Sequence, residues 1–268
     1  MPKIVAGLSQ VVTPYVAFCA DDDFILHSGL KFATDFLELN SDYSFCQGMA
    51  YFYQRINHRF VAWPILYQQD FSDDSWLERV LPSKNTVYYG LHRTRHVAEA
   101  FRFLRDQPML QQMPAAGLTD FVLTALIARA GKLKFAAMPF GMREYSPVVS
   151  CVGTRHELIL DQNLPAFYRN FLDRLIGGDS ISEPDLLRLK KFLASDLAGQ
   201  IQYDLSASRG VRHRVGKVPQ SLLGTVEYLY RQYNALRMVF RPGGVSALSL
   251  FSQPDFVEIR RRVLNWEG

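Results

Sequence analysis

The segment Thr13–Leu26, TPYVAFCADDDFIL, decides how the chain is read. An apolar run from Tyr15 to Ala20 ends in Asp21, Asp22 and Asp23, and Phe24-Ile25-Leu26 follow. A short apolar run set off by Thr13-Pro14 predicts a buried strand. Three carboxylates at its end cannot all stay ionised and buried without compensation. The compensations available are a divalent cation, a helix N-terminus or full exposure to water. Hard oxygen donors suit Mg or Mn, ions that are commonly shared with substrate phosphates. The plain alternative is a polar turn after a strand, where aspartate is common.

Bulk properties narrow the class. The 268 residues are enough for one large domain or two smaller ones. With 48% hydrophobic and 21% charged residues, the composition is globular rather than disordered. A net charge of +4 is too small to argue for nucleic acid. Cys19, Cys46 and Cys151 are odd in number and lack metal-like spacing, so they read as reduced core residues of an intracellular protein. No apolar run approaches the roughly 18 residues needed to span a bilayer, and Met1-Pro2-Lys3 opens no signal peptide. The expected location is the cytoplasm, with peripheral contact at the inner face of the membrane as the one membrane option.

Working outward from the aspartates, Ile4, Val5, Leu8, Val11 and Val12 predict a short helix over Pro2–Val12. Ser28 is the expected N-cap of a helix reaching about Leu39, with Leu30, Ala33, Phe36 and Leu37 inward. Tyr43–Tyr53 predicts one or two strands interrupted at Gln47-Gly48. Phe60–Tyr67 predicts another, with Pro64 marking an edge or bulge. Asp70–Asp74 is an acidic loop, Thr86–Leu91 a strand, and Arg93–Arg105 a helix with Val97, Ala100, Phe101 and Leu104 inward. Thr119 is the expected cap of a helix ending at Gly131, which places Asp120 in its first turn. Leu133–Met138 and Phe140–Tyr145 are strands around Pro139. Residues 1–150 thus predict an α/β layer structure with a mixed sheet flanked by helices. Residues 151–268 turn helical, with candidates at Arg155–Ile176, Glu183–Leu205, Gln220–Arg241 and Pro254–Trp266.

Chemistry concentrates in three places. Asp21, Asp22 and Asp23 end a strand; Asp120 starts a helix and is placed for general-base work if it faces a cleft; and Arg143 follows the last strand. Their order, carried by TPYVAFCADDD and TDFVLTALIARAGKLKFAAMPFGMREYS, resembles bacterial family 2-type glycosyltransferases of the GT-A fold. The resemblance covers about residues 1–150, so the region is expected to be a partial GT-A-like sheet followed by an α-helical C-terminal extension.

The resemblance implies a definite activity. A strand-end DxD-like motif holds Mn2+ or Mg2+ on the diphosphate of a nucleotide-sugar, here taken as a UDP-sugar. Asp21 and Asp23 would be the metal and diphosphate carboxylates, and Asp22 would lie close to the ribose or sugar. Asp120 would take the place of the acidic motif that supplies the base for inverting transfer, although only this one residue of the usual acidic pair is present. Arg143 would stabilise phosphate charge, with a surface ion pair to Glu144 as its ordinary alternative. His156 is a candidate further metal ligand, whereas His92 reads as a solvated or capping histidine near a substrate-facing strand end. The acceptor would be a glycan or lipid-linked hydroxyl in surface polysaccharide assembly.

The chain also departs from the family pattern. Members carry strand–helix–strand units before the DxD strand that grip the nucleotide base, and here about twenty residues precede Asp21. A longer chain or a partner chain would supply that half, or nucleotide binding has been lost and the protein is a non-catalytic binding or scaffold module. A phosphatase of the haloacid dehalogenase type is the other rival, with Asp21 as nucleophile and Asp23 as acid/base. It wants Thr or Val where Ile25 stands, and Asp73-Asp74 comes too early to be its later acidic pair. Beyond residue 180, Arg188/Lys190/Lys191, Arg209–Lys217 and Arg260–Arg262 form basic clusters. Leu222, Leu223, Val226, Leu229, Tyr233, Leu236 and Phe240 form an apolar stripe, read as a helix packed on the sheet in preference to one lying on an anionic membrane.

Overall fold

A computed structural model describes residues 2–56, 59–64, 70–82, 87–107, 116–144, 156–195 and 254–265. The expected helix at Gln220–Arg241, the basic cluster at Arg209–Lys217 and Cys151 lie outside these residues. Helix α1 (Pro2–Leu8) leads to β1 (Tyr15–Ala17) and β2 (Phe24–Ile25), between which the aspartates sit. Next come α2 (His27–Leu39), β3 (Tyr43–Ile56), β4 (Arg59–Pro64), α3 (Trp76–Val80), β5 (Leu91–Arg93) and α4 (Thr94–Arg105). Helix α5 (Ala116–Ala130), strand β6 (Lys132–Glu144) and α6 (His156–Ile176) follow. Residues 183–195 form α7, and α8 is Pro254–Asn265.

The described strands make one mixed sheet in the order β1-β5-β3-β6-β2, with β4 also paired to β3. Strand β3 is its spine: β6 runs parallel along one edge, and β5 and then β4 run antiparallel along the other. Neighbouring strand residues point to opposite faces, and Phe45 and Cys46 accordingly enter different cores. Phe45, Leu133 and Phe135 join Phe101, Ile127 and Phe171 from α4, α5 and α6. Cys46, Leu91 and Phe140 meet Ala33 and Leu37 of α2 on the other face. A third cluster, with Leu26, Tyr51, Tyr53 and Met142, is closed by Phe256, Ile259 and Val263 of α8. Helices therefore cover both faces, the arrangement expected of an α/β layer fold. Helix α2 packs tightly on the sheet at Gly29, where an added Cβ would lie 2.6 Å from the Cα of Phe140.

Several local expectations change. Strand β3 is continuous, and the Gln47-Gly48 break becomes register shifts around Met49, which pairs with Pro139 of β6. Proline has no N–H to give the ladder, so the irregularity absorbs it and β6 continues through as one strand. The strand expected at Thr86–Leu91 is only Leu91–Arg93, preceded by a turn at Tyr88–Gly90. Helix α1 stops at Leu8, leaving Val12 exposed. Helix α2 begins one residue before Ser28, with Leu26 as N-cap and no cap from its side chain. Thr119 lies inside α5, because Ala116-Gly117-Leu118 extend that helix toward its N-terminus. Asp120 is therefore a second-turn residue, beyond the reach of the first-turn dipole effect.

The ends of two later helices follow the sequence more closely. Gly177 takes φ +62°, closing α6 in the left-handed conformation that glycine adopts without penalty. Arg129 reaches from α5 to the carbonyls of Leu175 and Ile176 and to Asp179, fastening that end.

Candidate functional site

The antiparallel register of β2 and β6 sets Phe24 opposite Met142 and Ile25 opposite Gly141. Continued one step outward, it brings Asp23 to Arg143 and the start of the next residue. Asp23 Oδ1 accepts a hydrogen bond from the Glu144 backbone N–H at 3.1 Å, and Oδ2 lies 3.6 Å from Arg143 Nε. The Asp23 carboxylate is 7% exposed. Burial raises its pKa above the ordinary aspartate value, and the Arg143 charge and the Glu144 N–H only partly oppose this. Asp21 and Asp22, by contrast, are exposed. The three aspartates thus separate into one anchored carboxylate and two open to solvent.

Arg143 does not pair with Glu144. Its guanidinium lies over the Tyr89 ring at 3.8 Å, a cation–π contact, and one Nη donates to the Tyr89 hydroxyl at 3.1 Å. Phe52 flanks it at 5.8 Å. Arg143 Nε is buried without a hydrogen-bond partner among the described residues. Its nearest anionic group is the Asp23 carboxylate, an ion pair longer than a hydrogen bond.

Asp120 reaches the same neighbourhood through the two tyrosines. Its charge is close enough to push the phenols of both Tyr88 and Tyr89 up, after burial, and Asp23 acts on Tyr89 in the same direction. Tyr89 thus feels the charges of Arg143, Asp23 and Asp120 together. A pocket beside it is lined by Phe18, Cys19, Asp23, Tyr89, Met142 and Arg143, among others. The β1–β5–β3–β6 order delivers these side chains to one end of the sheet although they come from distant parts of the sequence.

Other expected residues fall elsewhere. His92 is neither solvated nor a cap: it is fully buried on β5, ringed by Phe18 and Phe45, and burial pulls its pKa down to about 4. It is a neutral core side chain at neutral pH. Asp70 pairs with Lys134 and accepts from the Phe135 N–H, and Asp74 pairs with Lys132. This acidic loop thus ties down the start of β6. Cys46 is a core thiol, but Cys19 is exposed, with Sγ 3.4 Å from the Asp23 carbonyl. His156 is the first residue of α6, and its side chain lies outside the described residues.

Among the described residues no group of three or more His, Cys, Asp or Glu side chains forms a ready cage for a metal. The requirement is smaller for a Mn2+ or Mg2+ ion that arrives with a diphosphate. Such an ion needs one or two protein carboxylates and takes waters and phosphate oxygens for the rest. Asp23 is one carboxylate of that kind, with the Arg143 cation beside it.

Tyr89 and Tyr53 were not singled out from the sequence. Tyr53, on β3, donates its hydroxyl to the Asp22 carbonyl at 2.7 Å. Neither tyrosine stands in a motif, and only the pairing of distant strands reveals them.

A consequence for stability follows from Asp23. A carboxyl group with a raised pKa in the fold stabilises the protein below its unfolded value, near 3.8, and that contribution is lost as pH rises through the folded value. Asp23→Asn, neutral at every pH, is expected to melt above the wild type at pH 7. The gap should close as the pH falls below 3.8, and calorimetric melts across pH 3–8 measure it.

Comparison of the chain with protein-family models finds no match, and no curated protein matches it. The class the fold defines is therefore an α/β protein with a mixed sheet. Among the described residues no helix is long and apolar enough to cross a membrane.

Proposed function

We propose that the chain is the catalytic part of a metal-dependent glycosyltransferase that transfers a sugar from a nucleotide-sugar to an acceptor hydroxyl with inversion. The observation that carries this reading is the meeting of Asp23, immediately before β2, with Arg143 of β6, while the charge of Asp120 reaches the Tyr89 that stacks on Arg143. Sequence order alone suggested these three residues; their convergence supports giving them roles in one reaction. The GT-A-like arrangement of the sheet, the UDP-sugar donor and the glycan or lipid-linked acceptor belong to the same proposal. So does a further domain or partner chain gripping the nucleotide base.

In this mechanism Asp21 and Asp23 would hold Mn2+ or Mg2+, which when bound supplies Lewis-acid neutralisation of the departing diphosphate. Asp22, exposed beside them, would lie close to the ribose or sugar. Arg143, held beside Asp23, would offer its guanidinium to a phosphate oxygen, a role for which that planar group is well suited. Asp120 removes the proton from the acceptor hydroxyl as that oxygen attacks the anomeric carbon. The rival phosphatase reading is less well supported, because it needs Asp21 as a nucleophile and the exposed Asp21 is the less anchored of the two carboxylates.

A thermal-shift screen of nucleotide-sugars with and without Mn2+ tests the proposal. Ligand at a hundredfold excess over its Kd stabilises by about 2.7 kcal/mol, enough to move a melting curve visibly. A UDP-sugar is expected to raise Tm only when Mn2+ is present. Melting curves that no nucleotide-sugar moves, with or without the ion, would refute it.

A further inference from the structure

Helix α8 packs against the segment that follows the acidic turn. Helix α2 starts four residues after Asp23, and its own N-cap, Leu26, offers no side-chain hydrogen bond. The first N–H groups of a helix need acceptors, and here one comes from the far end of the chain. Asp255 Oδ2 accepts from the His27 N–H at 2.7 Å and from the Ser28 N–H at 3.4 Å. Asp255 also lies in the first turn of α8, so a single carboxylate serves two helix N-termini, where negative charge is favoured.

The apolar side of α8 completes the support. Phe256, 1% exposed, packs with Ile259 and Val263 against Leu26 and Tyr53. Tyr53 in turn holds the Asp22 carbonyl, while the Leu26 N–H donates to Phe140 O at 2.8 Å. The segment from Asp22 to Ser28 is thus fastened at Asp22, Asp23, Leu26, His27 and Ser28. The last two fastenings come from Asp255.

We infer that Asp255 is a positioning residue for the acidic turn, so that the C-terminal helix is part of the donor site rather than an appendage to it. The link to donor binding rests on the proposed glycosyltransferase reading; the link to the turn's order does not. Two measurements on the full chain separate them: amide hydrogen exchange resolved over residues 20–30, and calorimetric binding of UDP with Mn2+.

In Asp255→Ala, exchange at His27 and Ser28 is expected to rise about fivefold, the effect of a lost helix cap. UDP binding with Mn2+ should weaken at least about twofold as the competent turn becomes less populated. Asp255→Asn keeps an acceptor oxygen of equal capping strength and should restore both. Unchanged exchange over residues 20–30 in Asp255→Ala would overturn the inference. So would a uniform rise across the whole chain, or wild-type UDP affinity in a variant whose turn has loosened. If the wild type itself binds no UDP with Mn2+, the glycosyltransferase reading fails, and the exchange measurement still decides whether Asp255 orders the turn.

Discussion

Asp120→Asn should lower turnover by about 10²–10⁴-fold while leaving UDP binding with Mn2+ within about twofold of wild type. The amide is nearly the same size as the carboxylate but cannot take a proton from an attacking hydroxyl. Asp120 occupies the second turn of α5, whose buried face runs from Phe121 to Ala128, so the helix itself is anchored independently of the substitution. Release of UDP from the donor that most stabilises the wild type gives the rate, and calorimetry gives the binding. A split between the two is what a base in the reaction predicts. Full turnover would remove Asp120 from the mechanism, whereas equal losses in both would make it a binding residue.

The second large effect is expected at the acidic turn. Asp23→Ala should weaken Mn2+-dependent UDP binding more than about a hundredfold, since even partners that only orient metal ligands commonly cost 10–100-fold. Asp21→Ala should act in the same direction. The Asp23 variant also strands Arg143 without its carboxylate, so the guanidinium loses an ion-pair partner near the place where phosphate is expected. The binding loss should therefore accompany an intact fold: Asp23 carries a raised pKa, and losing its charge relieves a cost of burial. A destabilised protein with the same loss would point to unfolding instead.

What the sequence disclosed of this arrangement was local. Of the apolar run before Asp21, only Tyr15–Ala17 forms a strand, half-buried at the end of the sheet, and the aspartates follow it in a turn rather than at its tip. The inward stripe of α4, Val97, Ala100, Phe101 and Leu104, is buried as its spacing requires. The order Asp21–Asp23, Asp120, Arg143 was also legible, and the structure adds that Asp23 and Arg143 touch.

What it concealed was every relation set by distant pairing. Nothing in the neighbourhood of His27 says that an aspartate 228 residues away will cap the helix in place of a local side chain. Tyr89 looked like the middle of a strand, but it occupies a turn that projects it over Arg143. His92 was read from its position at a strand end, and the sheet order that buries β5 between β1 and β3 could not be seen. The same is true of Asp70, which was read as solvated loop charge and is tied to Lys134.

The α8 contacts change how the second half of the chain is regarded. Residues Phe167, Phe171 and Leu175 of α6 share the large core with α4 and α5, and Phe256 of α8 lies under the acidic turn. The described C-terminal helices are thus structural parts of the sheet's surroundings, and substitutions in them reach the site through packing and through Asp255.

The Asp21–Asp23 turn and Arg143 are proposed together as a metal and diphosphate site. Calorimetric titration of the wild-type chain with UDP, in the presence and absence of Mn2+, decides whether they are. Binding is expected only with the ion; equal binding with and without it, or none in either case, would rule such a site out.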